Sequence, residues 1–387
     1  MSKPHAIIVG AGFTGVATAH DLALRGFDVT VVERGPIANG TSGRTHGLLH
    51  SGGRYAVKDQ ESAVECIDEN IILRKIVPQV IEPNGGLFIA IDDSDLEYAK
   101  KFTRACQECH IPVEELKPEQ ALRMEPNINP RVLLAYLIPD GTFDPLRLAL
   151  AFAATAKSNG AKFRFYTDVI GLMINGQGAV GGVQAWDRTC DRRYDIRGDI
   201  VVNATGAWAG EIAHMAGVNV PVKPTPGVMV AYDQRLVERA INRLNAPDDG
   251  DIVLPQRRMV VVGTTSFSID DLDYVPVLQD HVQLMLERGA ELIPGIRQAK
   301  MRGAYMATRP LVGGGDSGRE IARTFKCFDH SDHAPGLVTI TGGKATTCRA
   351  MAEKTADVVN GIVGVSTPCT TREVPLLSYR QFYTLPD

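Results

Sequence analysis

Apolar and polar positions along the chain fall into two kinds of block. Short apolar runs bounded by turn residues read as buried strands. Longer stretches with apolar residues three or four apart read as helices. The first block sets the pattern. Ala6-Ile7-Ile8-Val9 predicts a buried parallel strand. Val16 to Arg25 carries Val16, Ala19 and Ala23 at helical spacing, and Gly26 can close that helix. Asp28-Val29-Thr30-Val31-Val32 predicts a second strand. Further on, Glu61 to Val77 predicts a helix with Val64, Ile67, Ile71 and Ile72 on its apolar face and Pro78 at its end. Gly86 to Ile91 reads as a strand, and Asp92 to Ser94 caps a helix running to about His110. Ile128 to Ile138 is strand-rich. Asp144-Pro145 starts a helix that runs to Lys157. Strands follow at Lys162–Tyr166, Ile200–Trp208 (ending in small residues), Val228–Ala231, Ile252–Leu254, Met259–Thr264 and Leu337–Ile340, with helices at Asp280–Leu292 and from Thr347 to about Val363.

The turns between these blocks carry chemistry. Gly10-Ala11-Gly12-Phe13-Thr14-Gly15 joins the first strand to the first helix as a G-x-G-x-x-G turn. Gly10 makes the tight turn, Gly12 lets backbone approach a pyrophosphate, and Gly15 lets helix pack on strand. The helix N-terminus then points free N–H groups at the phosphates. Glu33, at the end of the second strand, is placed to accept from the ribose hydroxyls of an adenosine. A second triplet, Gly176-Gln177-Gly178-Ala179-Val180-Gly181, is followed by strand-like alternation through Trp186 and by no helix. It predicts a hairpin, so the chain has one dinucleotide site. Asn39 to Tyr55 is too rich in glycine, histidine, arginine and hydroxyl residues for a core element. It reads as a segment threaded beside the cofactor. Thr205-Gly206 lets backbone lie against the same ligand, and Gly342-Gly343 again precedes a helix N-terminus.

Nucleotide-type pieces thus occur at the start, middle and end, interrupted by strand-rich pieces. The fold class predicted is α/β with an α+β insertion. The cofactor domain comprises 1–80, 139–220 and 301–387. The inserted, largely antiparallel substrate domain comprises 81–138 and 221–300.

Composition narrows the classes. Over 387 residues, 44% are hydrophobic and 22% charged, ordinary for a globular enzyme of two or three units. A net charge of −4 offers no basic stripe for nucleic acid. Only Met1 to Pro4 precede the first strand, so no secretory signal is expected. No apolar run reaches the ~18 residues of a membrane span. Seven scattered cysteines read as reduced thiols in a cytoplasmic protein. Cys106-x-x-Cys109 has no second pair to complete a metal site.

Six stretches together resemble one family. They are Thr41 to Tyr55, Pro139 to Pro145, Val201 to Trp208, Gly263-Thr264-Thr265, Arg309-Pro310-Leu311 and Thr341-Gly342-Gly343-Lys344. The chain is similar, from about Ala6 to Val363, to the FAD-dependent glycerol-3-phosphate dehydrogenases. The likeness is strongest to the large catalytic subunit of the bacterial anaerobic enzyme. The resemblance implies a flavoprotein of the D-amino-acid-oxidase group, with a Rossmann-like FAD domain and an inserted antiparallel sheet. It implies oxidation of sn-glycerol 3-phosphate to dihydroxyacetone phosphate. FAD contacts are implied at Gly10, Gly12, Phe13, Thr14, Gly15, Glu33 and Arg34, and at Thr41, Ser42, Arg44, His46, Gly47 and Leu48. Val169, Ala204, Thr205, Gly206, Gly342, Gly343, Lys344, Ala345 and Thr346 complete that set. No metal is expected.

Two departures stand out. The large catalytic chain of the anaerobic enzyme continues into a cysteine-bearing C-terminal domain, whereas this sequence stops at Asp387. Electrons are therefore expected to leave for a partner subunit or a membrane quinone, the latter at the inner face of the cell membrane. The family often has Lys-Gly-Ser where Pro226-Gly227-Val228 stands.

Oxidising a secondary alcohol requires cations for the anionic tail and a base for the hydroxyl proton. Arg54 and Arg309 are the expected anion holders, because a guanidinium meets phosphate with two parallel donors. Tyr55, Thr264 and Lys344 join them at the substrate. Lys344 can also stabilise negative charge on the reduced ring. His50 is the candidate base, an arginine or a water being the alternatives, and His46 packs on the flavin. A small 2-hydroxy acid or amino acid is the alternative substrate, with both arginines on its carboxylate.

Overall fold

The computed structural model describes residues 3–269, 271–272, 274–313 and 323–386. Strands β1 (His5–Val9) and β2 (Asp28–Val32) pair in parallel, with helix α1 (Phe13–Leu24) between them in sequence. They sit in a six-stranded sheet ordered Phe325–Asp329, Leu337–Gly342, Ile200–Asn203, β1, β2, Lys162–Arg164. Every pairing is parallel except the one to the Phe325–Asp329 edge. Val16, Ala19 and Leu22 of α1 are fully buried in one core with Phe152 of helix Pro145–Ser158 and Ala356 of helix Cys348–Val363. Each large apolar side chain so buried contributes about 1.5–3 kcal/mol.

An eight-stranded sheet forms the second layer. Its order is Met301–Val312, Val222–Tyr232, Met259–Gly263, Ile252–Gln256, Ala240–Arg243, Gly86–Ala90, Leu134–Ile138, Glu114–Leu116. Only Ala240–Arg243 and Gly86–Ala90 pair in parallel. Helix Gln279–Leu292 packs Met285, Ala290 and Leu292 into a core with Val230 and Val262. The Gly176–Gly181 triplet spans the hairpin between strands Thr167–Ile174 and Val180–Asp187, as its alternation predicts.

Three expectations are corrected. The cofactor part is expected to resume at 301, but Met301–Val312 is a 12-residue edge strand registered against Val222–Tyr232. Gly303, Arg309 and Pro310 mask its alternation, and an edge strand tolerates proline. Ile128 to Leu133 is not strand, because Asn129 and Pro130 interrupt it. The Asn129 amide donates instead to the Glu291 carbonyl at 2.6 Å.

Helix α2 (Gln60–Ile76) lies where expected, with Ile67 buried and Ile72 half-buried, but the other two residues of its expected apolar face turn outward. Val64 and Ile71 are 37% and 61% exposed, while Glu69 and Asn70 are buried. Buried polar groups need partners, and these have them. Glu69 accepts two hydrogen bonds from Arg349 Nε and pairs with its Nη2. Asn70 Nδ2 donates to the carbonyls of Leu49, His50 and Pro139 at 3.1–3.2 Å. The helix thereby holds the loop that carries His50 and Arg54.

Candidate functional site

The glycine turn is shaped by close approach. Gly10 has φ +103°, and a Cβ there would lie 2.8 Å from the Ala204 carbonyl oxygen. A Cβ on Gly15 would come within 1.9 Å of the Gly10 oxygen, which only glycine permits. Helix α1 begins at Gly12 without a side-chain cap. Its Phe13 N–H donates to Ser42 Oγ at 2.9 Å. Glu33 accepts from the Ala11 and Gly35 N–H groups at 2.7 and 2.9 Å. Arg34 lies 4.3 Å from the Trp208 ring centroid.

One cavity of ≈ 870 Å³ is lined by this turn and by the cations Arg54, Arg309, Arg323 and Lys344, of which Arg309 comes from the eight-stranded sheet. Gly10, Gly12, Phe13, Thr14, Glu33 and Arg34 line it, as do Thr41, Ser42, Arg44, His46 and Leu48. Val169, Ala204, Thr205 and Gly206 contribute from the middle of the chain, and Gly342 to Ala345 from its end. Three expected contacts stand behind the wall. Gly15 packs α1 on the turn. Gly47 faces Gln256 and the Phe143 carbonyl, both within 2.5 Å of any added Cβ. Thr346 is buried, and its Oγ1 accepts from the His50 N–H at 3.1 Å. They support the cavity and do not line it.

The remaining expected residues, His50, Arg54, Tyr55, Thr264, Arg309 and Lys344, all line the same cavity. Arg54 differs from expectation: it arrives already paired. Its Nη2 donates to Asp251 Oδ1 at 2.6 Å and to the Asp248 carbonyl at 3.1 Å. Burial alone lowers its pKa, and Asp251 outweighs that and raises it. Arg309 has no carboxylate partner among the described residues. It donates to the Thr265 carbonyl at 2.9 Å, to the Thr225 carbonyl at 3.3 Å and to the Thr264 hydroxyl. Burial, followed by the charge of Arg323, brings its pKa down to about 9.

Lys344 Nζ donates to the Arg323 carbonyl at 2.9 Å and to Glu65 Oε2 at 3.3 Å, and lies 5.2 Å from the Tyr55 ring centroid. Burial pulls its pKa down, yet Cys66, Tyr55 and Glu65 leave it raised. His46 is pressed to about 3 by burial, Arg309 and Arg54. His50 is held well below 6.5 by burial, then by His46 and Arg54. Both imidazoles are neutral at neutral pH.

Sequence reasoning missed four neighbours. Arg323 lines the cavity and donates its N–H to Asp59 Oδ2 at 2.8 Å. Asp251 and Glu65 neutralise two of the cations, and Trp208 lines the nucleotide side. Only Trp208 stands in one of the six family-like stretches; Glu65 lies in a predicted helix whose pattern says nothing of its partner, and Arg323 and Asp251 stand in none of the predicted elements.

The residues fit an FAD. The Trp208 Nε1–H is buried with no protein acceptor among the described residues, although the ring lines the cavity. Gly206 lines it too, has φ +62°, and would project a Cβ into open space. The N-terminal N–H groups of α1 and the Trp208 indole are donors for a pyrophosphate, and Glu33 is the acceptor for ribose hydroxyls.

A model of the FAD dependent oxidoreductases, named DAO, matches residues 5–358, and the chain belongs to that class of flavoproteins, with FAD as its cofactor. Within the class it belongs to the family of anaerobic glycerol-3-phosphate dehydrogenase subunits. The Haloferax volcanii member is 41% identical over 400 residues, covering 100% of this chain and 68% of the relative. The Escherichia coli (strain K12) member is 41% identical over 376 residues, covering 96% and 69%. The crystal structure of glycerol-3-phosphate dehydrogenase from Bacillus halodurans complexed with FAD is similar at TM-score 0.75 and 25% identity, covering 97% of this chain and 68% of that one.

Proposed function

We propose that the chain oxidises sn-glycerol 3-phosphate to dihydroxyacetone phosphate and passes the electrons to a partner subunit or a membrane quinone. The observation that carries the substrate is Arg309. Its guanidinium is held by carbonyl and hydroxyl oxygens, with no carboxylate among the described residues to balance it. A doubly charged phosphate supplies that balance better than a single carboxylate. Arg54 keeps Nε and Nη1 for the same anion after Nη2 is taken by Asp251 and Asp248. Lys344 keeps one of its three N–H donors, and Tyr55 adds a phenol.

FAD, when bound, supplies the two-electron acceptor. The chain's own part is positioning. The α1 N-terminus holds pyrophosphate, Glu33 takes ribose hydroxyls, and Trp208 offers its indole N–H. His50 enters neutral and lines the cavity beside the alcohol without adding charge. The eight-stranded sheet contributes Ile252, Arg309 and Pro310 to the cavity wall. Since no described helix is long and apolar enough to cross a membrane, delivery to a quinone would be peripheral. The relatives are named as subunits of a larger enzyme, which accords with a partner chain.

Anaerobic bleaching of the bound flavin tests the reading. Glycerol 3-phosphate should bleach it, while lactate, 2-hydroxyglutarate, glycine and proline should not. Bleaching by a hydroxy or amino acid in its place would assign the site to a carboxylate substrate.

A further inference from the structure

Oxidising a secondary alcohol frees its hydroxyl proton inside a cavity walled by cations. A proton left on His50 would add one more positive charge beside Arg54 and Lys344. Asp59 lines the cavity but is engaged: it caps α2 through the Ser62 N–H and accepts from the Arg323 N–H. Asp251 is engaged with Arg54. Glu65 is placed differently. Its Oε2 lies 3.3 Å from Lys344 Nζ, and its side chain is 21% exposed against 6% for Lys344. The ammonium therefore stands between the cavity and a carboxylate that reaches water.

We propose that Glu65 is the outlet for the substrate's hydroxyl proton, relayed through Lys344. The alcohol carbon loses its C–H bond with the electron pair to the family's FAD, the O–H bond breaks, and the C=O bond forms. Lys344 first passes one of its own protons to Glu65 Oε2; the amine so formed turns about its Cε–Nζ bond and takes the hydroxyl proton, and Glu65 releases the proton it received to water. Lys344 ends each cycle charged, as it began. Burial favours the protonated form of Glu65, and so do Glu61 and Asp59 at the start of the same helix. Lys344, from the Gly-Gly turn, opposes them, and the balance lies above the ordinary carboxylate value. Arg323 faces the pair through the carbonyl that shares the ammonium, and Tyr55 and Cys66 lie against Lys344.

Glu65→Gln in the FAD-loaded full chain keeps an amide oxygen for Lys344 and removes the acid. The expected result is a fall in kcat of about tenfold or more, with KM within about twofold and the acidic limb of the kcat profile gone. Glu65→Asp should retain a limb at a shifted pH. An unchanged kcat with its limb intact overturns the proposal. So does a loss confined to KM, which would make Glu65 a support for the anion site alone. A second arm needs no turnover. Sulfate, a dianion that does not titrate in this range, is bound calorimetrically in two buffers of different ionisation heat. An anion beside Lys344 strengthens proton binding at Glu65, so wild type should take up more protons per sulfate in mildly acidic buffer than Glu65→Gln. Equal uptake overturns the relay. The proposal rests on the glycerol 3-phosphate reading; if wild type does not turn that ester over, the reading fails and the sulfate arm still decides on Glu65.

Discussion

The two walls of the cavity are built in opposite ways. The nucleotide wall is centred on one short stretch, β1 to Glu33, whose backbone N–H groups, glycines and one carboxylate are joined by residues from the Thr41–Leu48 and Ala204–Trp208 segments. Its shape is enforced by contact: Gly10 against Ala204, Gly15 against Gly10. The cation wall takes Arg54, Arg309, Arg323 and Lys344 from separate segments. The first and last of these are held by a carboxylate partner, Asp251 and Glu65. A contact-built wall fails all at once and ignores pH. A charge-built wall fails in steps, and each buried carboxylate becomes a hazard when its cation is removed.

The largest effect should come from breaking a charge pair. Arg54→Ala leaves Asp251, whose side chain is 3% exposed, buried without its cation. Breaking one side of such a pair costs about 3–5 kcal/mol. We expect a lower Tm in denaturation of the FAD-loaded protein, partly restored in the Arg54→Ala/Asp251→Ala double variant. A Tm within error of wild type would show the pair to be a surface-like contact. On the other wall, Gly15→Ala should cost about 3 kcal/mol, the upper end for overpacking, because its Cβ meets backbone that cannot rotate away. FAD should be lost on gel filtration while Arg309 variants keep it. A yellow Gly15→Ala protein would mean that the turn yields more readily than its contacts imply.

The nucleotide wall was legible because its signals are local. Strand, glycine turn, helix and acid lie within one short stretch, and each constrains the next. The cation wall was legible residue by residue but not in its pairings. Arg54, Arg309 and Lys344 were found. That Arg54 is paired by Asp251 and Lys344 by Glu65 depends on sheet register and helix rotation, which no local pattern records. Helix α2 shows the same limit. Its apolar residues pointed to one face, yet Glu69 turns inward to meet Arg349 of a distant segment, and Val64 and Ile71 are left outside. Gly47 and Thr346 neighbour residues that line the cofactor cavity, which is why the sequence points to them; Gly47 packs against Gln256 and Phe143, and Thr346 turns in to the His50 N–H, so both stand behind the wall.

Arg309 sharpens the comparison within the cation wall. With no carboxylate to strand, Arg309→Ala should leave Tm close to wild type. It removes charge-assisted contacts worth about 1.5–3 kcal/mol, roughly 10- to 150-fold in kcat/KM for glycerol 3-phosphate. Arg309→Lys should recover part of the loss, because it keeps charge and loses the planar fork. Steady-state kinetics decide. Wild-type kcat/KM in the alanine variant would remove Arg309 from the anion.

The smallest effect concerns a carboxylate between the walls. Asp140 is 2% exposed, and its Oδ1 accepts from the Ser51 N–H at 2.7 Å and from Ser51 Oγ at 2.8 Å. Arg74 does not pair with this carboxylate in a salt bridge; it donates to the Pro139 and Asp140 carbonyls. Burial is the largest influence on Asp140. It raises the pKa to about 6, against the pull of the Ser51 bonds and of Arg74 and Arg54. The folded pKa thus lies above the unfolded one. Such a group favours folding fully below the unfolded value and loses that contribution as pH rises through the folded value. At pH 8 the buried charge is a burden. Asp140→Asn keeps an oxygen for both Ser51 donors and removes the charge. It should therefore stabilise the protein at pH 8, by about 1–2 kcal/mol. The gain should shrink as pH falls below about 6 and vanish near the unfolded carboxylate value of about 4. Denaturant melts of both proteins across that range measure it. A variant that is less stable than wild type at pH 8 would mean that the ionised carboxylate, held by Ser51, is what fixes the His50 loop in place.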